Sequence, residues 1–328
     1  MSSVPYSRYL FGIVPWYSFL IVAGAALAVY LASREESRAG LKKDTVVDFA
    51  LIVLPCGIIG ARLYYVAFSW DQFRGDILSV FRIWEGGIAI YGAVLAGLLA
   101  ALLFCRKRRI SFLSLCDIIA PGLILAQAIG RWGNYFNQEA FGVRVTDPRF
   151  CFFPLAVQIA EGGSLQWHLA TFFYESVWNL FVFLFLMIAR RRFFRYRGDV
   201  ISFYAFLYAC GRFIVEDLRT DSLYAGSGIR ISQLLSVGIC LAILLTYFAR
   251  FRTKKSFRSV PSLLFFTLSL LTNLFLLLFL SGLLPLSTVP GKARLAVLCS
   301  AALINVLSII ILYRKNAEGN IIYANVRN

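Results

Sequence analysis

Histidine and methionine are almost missing from this chain: 328 residues include one histidine, His168, and two methionines. A single imidazole cannot supply the multi-histidine ligand set of a typical zinc site. Charge is scarce as well, at 15% of residues, and acidic groups are the scarcest, 17 against 33 basic. With 59% hydrophobic residues and a mean hydropathy of +0.74, that scarcity excludes an ordinary soluble domain. The seven cysteines (Cys56, Cys105, Cys116, Cys151, Cys210, Cys240 and Cys299) show no CxxC spacing. They read as small packing residues and indicate neither a disulfide framework nor a metal site.

What the chain has in abundance is long apolar runs. A membrane span needs roughly 20 apolar residues, and segments of about that length recur at 10–32, 46–68, 87–104, 112–133, 170–189, 199–217, 231–249, 261–284 and 294–313. The expected fold is an all-α polytopic membrane protein of nine helices, the third and fourth being the shortest. The first run is too long for a cleaved signal, whose apolar core is about 7 to 15 residues, and no basic cluster precedes it, so it reads as a retained helix.

A net charge of +16 could point to nucleic acid, but the placement of the basic residues argues against it. They gather in alternate loops: Arg34 to Lys43, Arg106 to Arg109, Arg190 to Arg197, Arg250 to Arg258, and the tail with Arg314 and Lys315. By the positive-inside rule these segments are cytoplasmic, which puts the amino terminus outside and the carboxyl terminus inside. The partners such loops meet are anionic membrane lipids. The longest loop on the other side, 134–169, contains Pro148, Pro154, Gly162 and Gly163 and is expected to be irregular, capping the outer mouth of the bundle.

Against this background residues 130–142, GRWGNYFNQEAFG, are anomalous: Arg131, Asn134, Asn137, Gln138 and Glu139 directly follow a membrane-length apolar run. Ionisable groups at that depth are expensive and mark function. Gly130 and Gly133 would permit close helix packing or headgroup approach. A second constellation lies on the sixth helix, where Tyr204, Tyr208, Arg212 and Glu216 are spaced by four and Arg219 follows three later, one stripe at 3.6 residues per turn. A structural ion pair between Arg212 and Glu216 is the plain reading. Two arginines for one aligned glutamate would leave a guanidinium for an anion, and with Arg131 nearby a phosphate site follows. Arg62, Asp117 and Glu175 are further intramembrane polar groups, each either site or bundle-interior. Tyr17 reads equally as interfacial aromatic or site residue.

These segments carry a resemblance. The chain resembles the phosphatidylglycerol:prolipoprotein diacylglyceryl transferases, integral membrane enzymes of bacterial lipoprotein biosynthesis. GRWGNYFNQEAFG is similar to the family's signature segment, and GARLYYV around Arg62, WEGGIAIYGAVLAG from Trp84, Asp117 with Pro121, Tyr174-Glu175, GRFIVEDLR from Gly211 and ISQLLS from Ile231 follow in the family's order. The similarity spans about residues 10–250.

The resemblance implies a multi-pass protein of the bacterial plasma (inner) membrane with its active site facing outward. It implies transfer of the diacylglyceryl group of phosphatidylglycerol to the lipobox cysteine thiol of a prolipoprotein signal peptide, releasing glycerol phosphate, with no cofactor. It further implies that Arg131 and Arg212 are essential phosphate-handling groups, with Glu139 and Glu216 orienting them. Asn134 and Gly142 would shape the headgroup pocket, with Asn137, Arg62 and Arg219 among the substrate-binding groups, and Tyr17 would face the cavity. Where the family often has a histidine as candidate base, this chain has Tyr91, a phenol of pKa about 10 and a poor base at neutral pH, which is expected to hydrogen-bond glycerol or phosphate instead. His168 does not match that position and is expected to be an interfacial residue without a role.

The domain division expected is a transferase-like core, 1–253, and a two-helix appendage with a short tail, 254–328, joined across a short loop, LSTVPGKAR. The appendage reads as structural or as a partner-helix surface. Two other functions remain open at this point: a catalytically inactive relative that binds lipid or precursor, motivated by Tyr91, and an anionic-lipid transporter. An inverted-repeat transporter would show related halves, and no second GRWGN occurs.

Overall fold

The computed structural model describes residues 7–225, 229–281 and 291–317. Among them are nine long α-helices: α1 (Trp16–Ser33), α2 (Thr45–Phe68), α3 (Ile90–Arg108), α4 (Phe112–Asn137), α5 (Thr171–Arg192), α6 (Asp199–Leu218), α7 (Ile231–Phe251), α8 (Val260–Leu280) and α9 (Gly291–Asn316). Eight are long and apolar enough to cross a membrane. The exception, α6, carries four charged side chains, Asp199, Arg212, Glu216 and Asp217. The expected loop between the last two helices falls largely on residues 282–290, outside the described residues, as does the tail beyond 317.

Five short 3-10 helices and three antiparallel pairs accompany them, the pairs being β1 (Tyr9–Leu10) with β2 (Val14–Pro15), β3 (Ala156–Glu161) with β4 (Ser164–Leu169), and β5 (Tyr224–Ala225) with β6 (Ile229–Arg230). Two sequence expectations change. The fourth helix is not short: at 26 residues it continues through the polar signature to Asn137. Its end is set by Gln138, whose φ of 55° is left-handed, with Gln138 N–H donating to Tyr135 O and Glu139 N–H to Asn134 O, the closing geometry of many helix C-termini. Nor is the following loop wholly irregular. Gly162 and Gly163, at φ of 59° and 81°, form the turn of the β3–β4 hairpin, a conformation that costs glycine little.

The fold divides into two compact units, residues 29–119 and residues up to 28 together with those from 120 onward. In the first, α2 and α3 pack so closely that a Cβ on Gly92 would lie 2.3 Å from the Gly60 carbonyl oxygen. Ala32, Val46, Phe104, Cys105, Leu115 and Ile118 form its apolar core. Arg62 organises the segment between those helices: its guanidinium donates to the carbonyls of Val80, Gly86, Gly87, Ser79 and Arg82 at 2.6–3.3 Å and lies 5.2 Å from the Phe73 ring centre.

In the second unit, α5, α6, α7, α8 and α9 pack in sequence, and α9 returns against α6. Gly211 on α6 has no room for a Cβ, which would meet the Trp178 ring at 2.2 Å, and Trp178 Nε1 donates to the Leu207 carbonyl at 2.9 Å. The appended helices share a buried polar seam: Ser269 Oγ donates to Asn305 Oδ1 at 2.7 Å, Asn273 Nδ2 to the same oxygen at 3.0 Å, and Asn316 Nδ2 to Ser262 Oγ at 3.1 Å. At the start of α6 the Tyr313 hydroxyl of α9 donates to the buried Asp199 carboxylate.

Candidate functional site

Three helices of the second unit place one charged group after another in contact. Arg131, on the last turns of α4, reaches Glu175 near the start of α5, Nη2 to Oε1 2.7 Å. The other oxygen of Glu175 lies 3.4 Å from Arg212 Nη1 on α6. Glu216, one turn further along α6, takes Arg212 Nη2 at 2.5 Å, and Ser232 Oγ on α7 stands 3.5 Å from the same nitrogen. The four groups form a chain of alternating charge, Arg131–Glu175–Arg212–Glu216.

The arithmetic therefore differs from that read off one stripe of α6. Two guanidiniums face two carboxylates, and Glu175 supplies the second from another helix. The cluster nevertheless has a direction. The carboxylates are sealed, Glu175 and Glu216 side chains being 3% and 1% exposed, whereas the side chains of Arg131 and Arg212 are 21% and 15% exposed. The buried acids fix the arginines from behind and leave donors of each five-donor guanidinium for a ligand.

Neighbouring contacts lock these helices in register. Ser176 Oγ accepts from Trp132 Nε1 at 3.2 Å and donates to the Ala128 carbonyl at 2.8 Å, tying α5 to α4. Gln127 on α4 donates to Tyr204 on α6 at 3.1 Å. Tyr17 of α1 lies against Gly133, where a Cβ would come within 2.6 Å of its ring.

The other residues singled out in the sequence fall in different places. Among the described residues Glu139 pairs with no guanidinium: its Oε1 accepts from Asn134 Nδ2 at 2.8 Å and Asn137 Nδ2 at 3.4 Å, and the acid in contact with Arg131 is Glu175. Arg219 stands just past the helix end, where its backbone is extended at ψ 149°, and it forms a two-pronged pair with Asp221 at 2.9 and 2.7 Å while still feeling the charges of Glu216 and Glu175. Burial alone pushes the Asp221 carboxyl up, but the Arg219 fork outweighs it and holds the group below the ordinary carboxylate range. Gly142 is packed on all sides and its backbone groups are taken, N–H by Leu169 O at 2.9 Å and the carbonyl oxygen by His168 Nδ1, also at 2.9 Å. His168 is thus buried and pins the signature segment, its ring 4.7 Å from Phe141. Arg62 spends its donors on backbone carbonyls in the other unit, where Tyr91 lies in the first turn of α3.

Glu175 is the residue that reading along single helices underrated. Its signal was an acid inside an apolar helix, three residues before a tryptophan and remote in sequence from both arginines.

The sequence profile of the prolipoprotein diacylglyceryl transferase family matches residues 9–249. The chain is 47% identical over 247 residues to a protein of Enterococcus faecalis, covering 74% of this chain and 89% of that one. It is 43% identical over 240 residues to one of Streptococcus equi subsp. equi, covering 73% and 92%. A third relative, from Oceanobacillus iheyensis, is 44% identical over 245 residues, covering 73% and 84%. All three carry the name phosphatidylglycerol–prolipoprotein diacylglyceryl transferase. A match over most of the chain, embracing every helix of the charged cluster, makes this protein a member of the prolipoprotein diacylglyceryl transferase family.

Proposed function

We propose that this chain transfers the diacylglyceryl group of phosphatidylglycerol to the lipobox cysteine of prolipoprotein signal peptides, in the bacterial plasma membrane and at its outer face. The observation that carries the reading is the pair of guanidiniums, Arg131 and Arg212, held from behind by one buried acid, Glu175.

The reaction forms a bond from the substrate cysteine sulfur to a glyceryl carbon and breaks that carbon's bond to a phosphate oxygen. The electron pair goes to the oxygen, which departs as glycerol phosphate with one more negative charge, and the thiol proton is lost. Guanidiniums fixed in advance around that oxygen stabilise charge as it develops, without reorganisation during the step. The same positive field favours ionisation of the incoming thiol, whose free pKa is about 8.5. Arginine suits both tasks because its charge persists when desolvated and its fork matches phosphate. Tyr17, Asn134 and Asn137 are assigned to the substrate side in this scheme, and Tyr91 keeps the hydrogen-bonding role that the resemblance to the family implies for it.

Complementation of a transferase-depleted bacterium tests the proposal. The chain should restore lipidation of precursors, and a well-expressed, membrane-inserted chain that leaves them unmodified would overturn it.

A further inference from the structure

Helices α8 and α9 lie beyond the segment shared with the family, yet α9 reaches back to the end of α6 that holds the charged cluster. Asp217, next to Glu216, is 7% exposed at its side chain and takes two arginines: Arg230 Nη1 at 3.3 Å and Arg294 of α9 at 3.1 Å. Arg230 donates from the same nitrogen to the backbone oxygen of Glu216 at 2.7 Å. One turn along α9, Leu298 and then Ala301 pack with Phe213, Val237 and Leu276, and Phe213 directly follows Arg212. Thus Arg294 rests on a rigid apolar base and closes a relay: Arg294 to Asp217, Asp217 to Arg230, Arg230 to the Glu216 backbone, Glu216 to Arg212.

We propose that Arg294 is a positioning residue of the transfer site, and that α8–α9 act as a brace fixing the last turn of α6 so that Glu216 holds Arg212 in its productive orientation. The inference rests on the transferase reading above. Its physical basis is charge accounting in a poorly solvated place. With both arginines present, Asp217 is neutralised from two sides and Arg230 is divided between it and the Glu216 carbonyl. Without Arg294, the buried carboxylate draws Arg230 toward itself, the contact with the Glu216 backbone weakens, and the carboxylate of Glu216 drifts from Arg212. Small misplacements of a pre-aimed donor cost turnover more than substrate affinity.

The test uses the full chain in phosphatidylglycerol-containing nanodiscs with a lipobox peptide as acceptor. Arg294→Met keeps an apolar stem and removes the charge, and it should lower kcat about 10-fold with KM for peptide and lipid within about 2-fold. Arg294→Lys should regain most of kcat. The decisive variant is Arg294→Met with Asp217→Asn: removing the unpaired carboxylate should restore kcat to within about 3-fold of the parent, a rescue that a packing role would not give. Parent-like kcat in Arg294→Met, or no rescue by Asp217→Asn, overturns the brace while leaving the transferase reading intact. A parent chain that transfers no lipid overturns the functional reading and the brace with it.

Discussion

Glu175 and Arg131 meet at 2.7 Å through only one of the two carboxylate oxygens, which leaves the other facing Arg212. Glu175 is therefore the common holder of both guanidiniums. Glu175→Gln preserves shape and removes the charge. It should reduce transfer by about two orders of magnitude and lower thermal stability, because a buried ion pair that loses one partner leaves uncompensated charge worth about 3–5 kcal/mol. Turnover in a lipobox-peptide assay is the measurement, and a variant within a few-fold of the parent would refute the assignment.

Arg131→Ala and Arg212→Ala should each abolish transfer, and the lysine replacements should recover little, since a point charge cannot reproduce a fork shared between carboxylate and phosphate. Tyr91→Phe should only slow the reaction, because a phenol that donates a hydrogen bond contributes less than a full charge. Parallel kinetics on the three sites would show this order; a Tyr91→Phe chain as dead as the arginine variants would assign the phenol a proton-transfer role.

Arg62 should behave as a structural residue. Its five carbonyl contacts tie Ser79 to Gly87, so Arg62→Ala should make the segment between α2 and α3 sensitive to limited proteolysis. An intact segment combined with a large rise in KM for phosphatidylglycerol would instead return Arg62 to the substrate.

A methyl group is enough to disturb position 142. The Cβ of Gly142→Ala would sit 2.8 Å from Leu169 Cβ and 2.9 Å from the Leu218 carbonyl oxygen, both in ordered elements that cannot yield cheaply. A loss of about 1–3 kcal/mol is expected for such overpacking. Thermal denaturation in detergent would record it; an unchanged midpoint would mean the hairpin relaxes freely.

The Asp221 carboxyl is held below its ordinary range, so the sign of its pH effect is fixed. Its pair with Arg219 contributes above the unfolded pKa of about 3.9 and is lost only as pH falls through the lower folded value. Transfer by Asp221→Asn should accordingly show the parent's pH profile between about pH 5 and 8. A displaced acid limb in that interval would contradict the geometry.

Eight of the nine helices were legible in the sequence as apolar runs of membrane length, a signal that does not depend on neighbours, and α6 was legible from the shorter apolar run between Asp199 and Arg212. Arg131 and Arg212 were legible as costly charges at membrane depth. What escaped was pairing between helices. Periodicity along α6 aligned Arg212 with Glu216 correctly, but it could not show that Glu175 on α5 closes the cluster, or that Arg219, past the helix end, pairs with Asp221. Glu139 stands close in sequence to Arg131 and binds Asn134 and Asn137 instead, because the left-handed Gln138 reverses the chain before it. The buried role of His168 depends on the hairpin, whose register follows from the two glycines at its turn.

The seam between α8 and α9 bears on how the chain enters the bilayer. Ser269 and Asn273 both donate to Asn305 Oδ1 across two helices that are otherwise among the most apolar in the protein. Either helix alone would carry unpaired amide groups into hydrocarbon, at a cost that pairing largely removes. The two should leave the insertion machinery together, and two helices added as a pair leave unaltered which side of the membrane any earlier loop occupies.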